Sequence, residues 1–137
     1  MVTAFRRGFS IVEILIVVTI IGILSIGVFS AMTYIRTSKI NTTKQMIRVY
    51  QTAIDSFHND TGSYPVTLSD LVDKPADQKI AQRWQGPYIK KVVTQDAFNK
   101  EFVYNVTKGG KTPYELYSWG ENGEGSQESE WIDAWKL

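Results

Sequence analysis

The N-terminal part of the chain is dominated by one uninterrupted apolar run. No charged residue occurs in residues 14–35, and this run exceeds the roughly 20 residues that a helix needs to cross about 30 Å of hydrocarbon. A transmembrane helix is therefore predicted. Arg6 and Arg7 precede the run without an acidic neighbour. The positive-inside rule places such a flank in the cytoplasm and the remainder of the chain on the other side of the membrane.

Beyond residue 36 the apolar pattern changes to that of an amphipathic helix. Apolar residues recur at spacings of seven, three, four and three along one helical face. They are Ile40, Ile47, Tyr50, Ile54 and Phe57. Because no proline interrupts residues 9–57, one continuous helix is predicted, ended by the turn-forming residues 59–62.

The remaining pattern predicts a small mixed head. A short helix is expected at residues 67–72, where three apolar residues share one side. Short apolar or alternating runs predict three strands, at residues 89–93, 102–106 and 114–119. These strands are predicted to form an antiparallel meander that covers one side of the long helix. The predicted fold class is therefore α+β, with a long N-terminal helix, transmembrane in its first half, packed against a small antiparallel sheet.

Composition and charge narrow the classes of function. With 137 residues, the chain has room for one modest soluble domain besides the apolar run. A net charge of +1 and an acidic stretch from residue 122 onward do not form the basic surface of a nucleic-acid binder, so no nucleic-acid partner is predicted. Without Cys there are no disulfides, thiolate metal sites or cysteine nucleophiles. The lone histidine, His58, ends the predicted helix, where stacking or solvation is favoured over acid–base chemistry, and no enzyme activity is predicted.

Glu13 is the unusual residue of the apolar segment. On insertion scales a charge deep in a bilayer costs about 2.5–3.5 kcal/mol, so an intramembrane carboxylate is first of all a functional-site hypothesis. The nearest basic residue downstream, Arg36, lies more than about six helical turns away. Two other interpretations stay open. Glu13 can snorkel to the nearby interface, or the run can be a signal peptide cleaved after residues 25–27, although the apolar run continues past that point.

The residues around Glu13 resemble a known processing signal. Residues 6–13, Arg-Arg-Gly-Phe-Ser-Ile-Val-Glu, are similar to the prepilin leader junction of type IV pilins and type II secretion pseudopilins. This resemblance implies that a prepilin peptidase cleaves between Gly8 and Phe9 and methylates the new amine of Phe9. It also implies a partner for Glu13, because that amine on a neighbouring subunit can offset the desolvation of the carboxylate when helices bundle into a filament.

The head carries a second resemblance, which distinguishes between the members of this superfamily. Residues 84–91, 96–104 and 114–123 are similar to the G-type major pseudopilin of type II secretion. The resemblance implies a leader at residues 1–8, a transmembrane and filament-core helix at 9–35, and an amphipathic helix plus periplasmic head at 36–137.

The function implied by this resemblance is structural. The subunit would lie in the inner membrane with a cytoplasmic N-terminus, in contact with lipid before assembly. It would then join copies of itself in a periplasmic helical filament that drives protein export through an outer-membrane secretin. The implied partners are minor pseudopilins, the prepilin peptidase and an inner-membrane assembly platform.

Residues 118–133 combine glycine turns with many oxygen donors. Such a stretch suits calcium, which takes six to eight oxygens at about 2.3–2.6 Å, although it does not match an EF-hand. The G-type resemblance implies a structural calcium ion here, with ligands supplied by the predicted set Trp119, Asn122, Glu124, Glu128, Glu130 and Asp133. Asn122 stands where the family has Asp, and Trp131 replaces a ligand Asp. The alternative is a loop held by the packing of Trp131 and Trp135.

Two rival functions remain at this point. A type IV pilin for adhesion, motility or DNA uptake shares the leader motif, and only the head pattern distinguishes it. A membrane-anchored enzyme or binding domain would instead keep an uncut N-terminus and act through its soluble part alone.

Overall fold

The computed structural model describes residues 8–137. The predicted leader therefore lies, except for Gly8, outside the described residues, as do Arg6 and Arg7. The chain divides into two compact units, Met1–Thr37 and Ser38–Leu137. One α-helix, α1, runs over Ile11–Thr61, and this confirms the prediction of a single continuous helix.

Residues 11–37 of α1 expose their side chains to the surroundings wherever these are described. By length and composition this part of α1 is a candidate membrane span. Its hydroxyl groups are satisfied within the helix, because Thr19 and Ser25 donate to the backbone oxygens of residues 15 and 21, each at 2.7 Å. Such bonding to the preceding turn removes most of the cost of placing a hydroxyl in lipid.

The C-terminal end of α1 is fixed by a glycine. Gly62 has φ 75° and donates its N–H to the carbonyl oxygen of His58 at 2.8 Å. A left-handed residue directly after a helix satisfies the last carbonyls in this way, and glycine adopts that conformation without a steric penalty. The turn formers predicted at residues 59–62 therefore end the helix as expected, about one turn later than the apolar stripe.

The rest of Ser38–Leu137 contains short elements. A 3-10 helix at Leu68–Leu71 confirms the short helix predicted there. The further helices are α2 at Gln78–Arg83, which the sequence analysis missed, and 3-10 turns at Glu128–Glu130 and Ala134–Lys136. The strands are β1 at Phe102–Val106, β2 at Tyr114–Ser118 and β3 at Ile132–Asp133.

The strands form one antiparallel sheet in the order β1-β2-β3. Phe102 pairs with Ser118, and Ser118 pairs on its other side with Ile132. Two of the predicted strands are thus confirmed, but the one predicted at residues 89–93 is wrong. That segment bonds to helices instead. The N–H of Ile89, and that of Tyr88 just before it, donate to the carbonyl oxygen of Leu71 at 3.4 and 2.8 Å. Both backbone groups of Val93 bond to the hydroxyl of Tyr50.

The core of this unit lies between α1 and the sheet. From α1 it takes Ile47, Tyr50, Ala53, Ile54 and Phe57, and from the other elements Leu71, Tyr114, Leu116, Ile132 and Ala134. Four of the five residues of the predicted stripe are buried, and Ile40 is partly buried against them. In β2 the alternation also holds, since Tyr114, Leu116 and Ser118 are buried while Glu115 is exposed.

Candidate assembly site and C-terminal loop

The predicted processing and assembly residues lie at the start of α1. Gly8 and Phe9 lie just before the helix, separated from it by Ser10, and 80% of Phe9 is exposed. Glu13 lies in the first turn of α1, where a carboxylate also interacts favourably with the helix dipole. It is the single charged residue of residues 8–35. Within residues 8–137 Glu13 forms no ion pair.

The six predicted calcium ligands lie on three neighbouring pieces of chain. Trp119, Asn122 and Glu124 belong to the loop after β2, Glu128 and Glu130 to the following 3-10 turn, and Asp133 to β3. Residues 8–137 contain no group of three or more Asp, Glu, His or Cys placed to hold a metal ion together.

Three of these predicted ligands already accept a hydrogen bond or form an ion pair within the chain. The Glu128 carboxylate lies 2.7 Å from the Lys136 ammonium, and this lysine holds the pKa of Glu128 below its usual value. Asp133 accepts the backbone N–H of Trp135 at 2.9 Å. The carbonyl oxygen of Trp119 accepts the hydroxyl of Ser126 at 3.0 Å. Three of the six predicted ligands are therefore engaged within the chain, and a calcium ion, which requires six to eight oxygens, would have to share or displace these contacts.

Aromatic rings close the same loop. The Trp131 ring stacks on Tyr117 with centroids 4.6 Å apart and meets Trp119 edge-on at 4.7 Å. Its Nε1–H donates to the oxygen of Ser126 at 3.0 Å. We call Tyr117, Trp119 and Trp131 the loop cluster. Such pairs contribute about 0.5–1.5 kcal/mol each beyond the area they bury, and the cluster corresponds to the packing alternative of the sequence analysis.

Trp135, the second tryptophan of that alternative, packs elsewhere. Its ring contacts Tyr114 at 5.1 Å, and its Nε1–H donates to the Tyr114 oxygen at 2.9 Å. It therefore fixes the end of the chain to β2 rather than closing the loop.

Gly120 shows how tightly the loop passes the following segment. Its φ is 72°, and a Cβ at this position would lie 2.9 Å from the carbonyl oxygen of Glu130. Both the left-handed conformation and the close approach of backbone require glycine here.

A buried carboxylate, which the sequence analysis treated only as part of a connection, organises the turn before β1. Asp96 is 5% exposed and accepts the N–H groups of Phe98 and Lys100, each at 2.8 Å. The other carboxylate oxygen of Asp96 accepts a hydrogen bond from the Ser118 hydroxyl. The oxygen of this hydroxyl accepts the N–H of Gly120 at 2.9 Å. Asp96 thus connects the turn at residues 96–100 to the end of β2 and the start of the C-terminal loop.

No arrangement for acid–base or nucleophilic catalysis was found among residues 8–137. His58 stacks on Tyr64 at 4.1 Å with nearly parallel rings, as the sequence analysis favoured. The partly buried Tyr104 has a structural role, since its hydroxyl donates to the carbonyl oxygen of Pro65 at 2.8 Å. Burial raises the pKa of Tyr114 to about 12, so this phenol stays neutral at physiological pH.

Comparison with known proteins places these features in a family. Residues 30–135 match the family model "Type II secretion system (T2SS), protein G", and residues 4–29 match the "Prokaryotic N-terminal methylation motif". A type II secretion system core protein G from Pseudomonas aeruginosa is 33% identical, with 95% of each chain covered. The protein of the same name from Xanthomonas campestris pv. campestris is 32% identical, covering 88% of this chain and 82% of the relative.

A solved structure supports the fold independently. The major pseudopilin from the type 2 secretion system of enterohaemorrhagic Escherichia coli superposes with a TM-score of 0.62 at 22% identity. The match covers 77% of this chain and 94% of that chain.

Proposed function

The chain belongs to the type II secretion system protein G family, and from this premise we propose how its residues serve a pseudopilus. The chain is a structural subunit of that filament. The observation that carries this role is the match of residues 30–135 to protein G, next to an N-terminal methylation motif at residues 4–29. Because the protein G match covers the head, it favours secretion over a type IV pilin. The family is structural and is not known for enzymatic activity.

The apolar part of α1 and the methylation motif fit a membrane-anchored pseudopilin. We propose that the chain crosses the inner membrane once, with the N-terminus in the cytoplasm and residues 36–137 in the periplasm. Arg6 and Arg7, next to an apolar segment without other basic residues before Arg36, support this orientation. After assembly the subunit lies in a periplasmic filament of identical chains.

We further propose that assembly begins with cleavage between Gly8 and Phe9 by a prepilin peptidase. The methylated amine of Phe9 then pairs with Glu13 of a neighbouring copy. An exposed Phe9 and a Glu13 that forms no ion pair within residues 8–137 support this pairing. Minor pseudopilins and an inner-membrane assembly platform are the other partners proposed.

The mature N-terminus tests this processing step. Mass spectrometry of the chain, expressed in cells that contain a prepilin peptidase, is expected to show a protein that begins at N-methylated Phe9. Gly8→Leu is expected to remain uncut, because the protease must accommodate a side chain where the parent sequence has none. An intact Met1 in the parent chain, or a mature start near residues 26–28, would contradict the assignment.

The C-terminal loop is proposed to keep its shape through the loop cluster and the hydrogen bonds of Ser126. The calcium site stays a prediction, and it competes with this proposal. If an ion were bound, its oxygens would come from the set Trp119, Asn122, Glu124, Glu128, Glu130 and Asp133, and it would lower the repulsion between these acidic residues.

Thermal unfolding of the full chain in detergent decides between the two. We expect the same melting temperature in calcium and in chelator, because the loop is closed by contacts that need no metal. Trp131→Ala serves as the reference variant, since losing the ring opens the loop and lowers the melting temperature under both conditions. If calcium raises the melting temperature of the parent chain by several degrees, the loop binds calcium and the proposal of a metal-free loop is wrong.

A further inference from the structure

Outside the sites described above, a groove opens between α1 and the segment that was wrongly predicted as a strand. It consists of two adjoining depressions of about 450 and 120 Å³ that share Val49, Ile89 and Lys91. We call it the basic groove and define it by Met46, Val49, Ile89, Lys90, Lys91 and Val93. Val49 is 58% exposed, so the apolar floor of the groove is open to solvent.

The rim of the groove carries two lysines. Lys90 and Lys91 are exposed and form no ion pair within residues 8–137. Nor do residues 90–92 contribute to a backbone hydrogen bond in that range. An exposed apolar floor, two unpaired ammonium groups and unpaired backbone together have the character of an interface that another surface completes.

The charges along the sequence identify that other surface. Residues 74–111 contain eight basic and three acidic side chains, a balance of +5, whereas residues 112–137 contain one basic and six acidic side chains, a balance of −5. Glu124 and Glu130 are exposed in the C-terminal loop, and neither forms an ion pair within the described residues.

We propose that the basic groove binds the acidic C-terminal loop of a second copy of this chain, with Lys90 and Lys91 facing Glu124 and Glu130 of the other copy. This proposal rests on the pseudopilus function. A contact between two different patches of identical chains is heterologous. Such a contact repeats from copy to copy and builds an open helix where the rotation between copies does not close into a ring. The groove of one globular head and the loop of the next therefore supply a contact that can repeat along a filament, in addition to the pairing at Glu13.

Engineered cysteines test the contact directly, because the chain contains no Cys of its own. The full chain carrying Lys91→Cys and Glu124→Cys is expressed with its secretion machinery and oxidised with copper phenanthroline. We expect a ladder of covalent multimers on a non-reducing gel. Each single variant is expected to stop at the dimer or below. The control pair Lys108→Cys with Glu124→Cys, which uses an exposed lysine of the β1–β2 turn, is likewise expected to form no ladder beyond the dimer.

Charge reversal in the same assay tests the electrostatic basis. Adding Lys90→Glu to the cysteine pair is expected to lower the cross-linked fraction about tenfold, because like charges then face each other. Adding Glu130→Lys as well restores cross-linking, whereas Lys108→Glu leaves it unchanged.

Three results would overturn the contact: a cysteine pair that stays monomeric in visible filaments, a bond formed within one copy, or cross-links to a protein of another mass. Electron microscopy of the parent chain separates this failure from that of the proposed function. Filaments without the cross-link contradict the contact alone, whereas the absence of filaments contradicts the function.

Discussion

Replacing Glu13 with alanine is expected to leave cleavage after Gly8 largely intact and to abolish filament assembly. In the proposed filament the Phe9 amine of one copy is buried against Glu13 of the next. Removing one member of a buried ion pair costs about 3–5 kcal/mol, because the remaining charge is desolvated without compensation. A cost of this size lowers the association constant between subunits by more than about a hundredfold. Mature protein measured by mass spectrometry and filaments counted by electron microscopy give the two readouts.

Thr19→Ala is the matched control for Glu13→Ala, since it also removes a polar group from the apolar part of α1. The Thr19 hydroxyl bonds to its own helix at the oxygen of Leu15, so its loss is expected to leave assembly unchanged. Glu13→Gln keeps the size of the side chain without its charge, and it is expected to behave like alanine. Normal filaments from Glu13→Ala would refute the pairing and return Glu13 to a snorkelling or helix-dipole role.

The elements that the sequence predicted correctly are those whose periodicity is long enough to be unambiguous. The stripe from Ile47 to Phe57 repeats over several turns of α1, and strand β2 alternates between buried and more exposed residues over its five positions. Residues 89–93 have the composition of a strand, but their backbone bonds to Tyr50 and Leu71 rather than to a neighbouring strand. Hydrophobic pattern alone does not reveal which partner an extended segment will find.

The missed elements are short. β3 has two residues and α2 has six, and neither length shows a period. α2 did carry a local signal, because Asp77 accepts the N–H groups of Lys79 and Ile80 as an N-cap. In contrast β3 depends on the pairing of Ile132 with Ser118, which is a contact between distant parts of the sequence.

Among the candidate sites, too, those formed by one short stretch of sequence were predicted, whereas those formed by residues far apart in the sequence were not. Gly8, Phe9 and Glu13 lie in one short motif, so the sequence alone was enough to predict roles for them, and these roles stay predictions. The loop cluster joins Tyr117 to Trp131, and the Asp96 network joins a turn to the end of β2. These contacts appear only when the sheet is assembled. A possible signal for Asp96 was the Asp-Ala-Phe-Asn order, since aspartate often accepts the N–H two residues ahead in a turn.

The Asp96 network is expected to be the most sensitive point of the head. Asp96→Ala leaves the N–H groups of Phe98 and Lys100 and the Ser118 hydroxyl without their acceptor in a buried position. Net hydrogen bonds to a charged group contribute about 1.5–3 kcal/mol, and a buried unsatisfied donor costs about 1–3 kcal/mol. We therefore expect a loss of about 3–5 kcal/mol, which lowers the melting temperature of a domain this size by roughly 15 °C or more.

Thermal unfolding of the full chain in detergent, followed by tryptophan fluorescence, measures this loss. Asp77→Ala is the matched control, because it removes an exposed aspartate that also accepts two backbone N–H groups, and a helix cap is expected to cost only about 1 kcal/mol. Asp96→Asn keeps one oxygen for the turn but places an amide against Ser118, so its melting temperature is expected to fall between those of the parent and Asp96→Ala. An Asp96→Ala chain that melts within about 2 °C of the parent would show that the turn and the C-terminal loop hold together without this carboxylate.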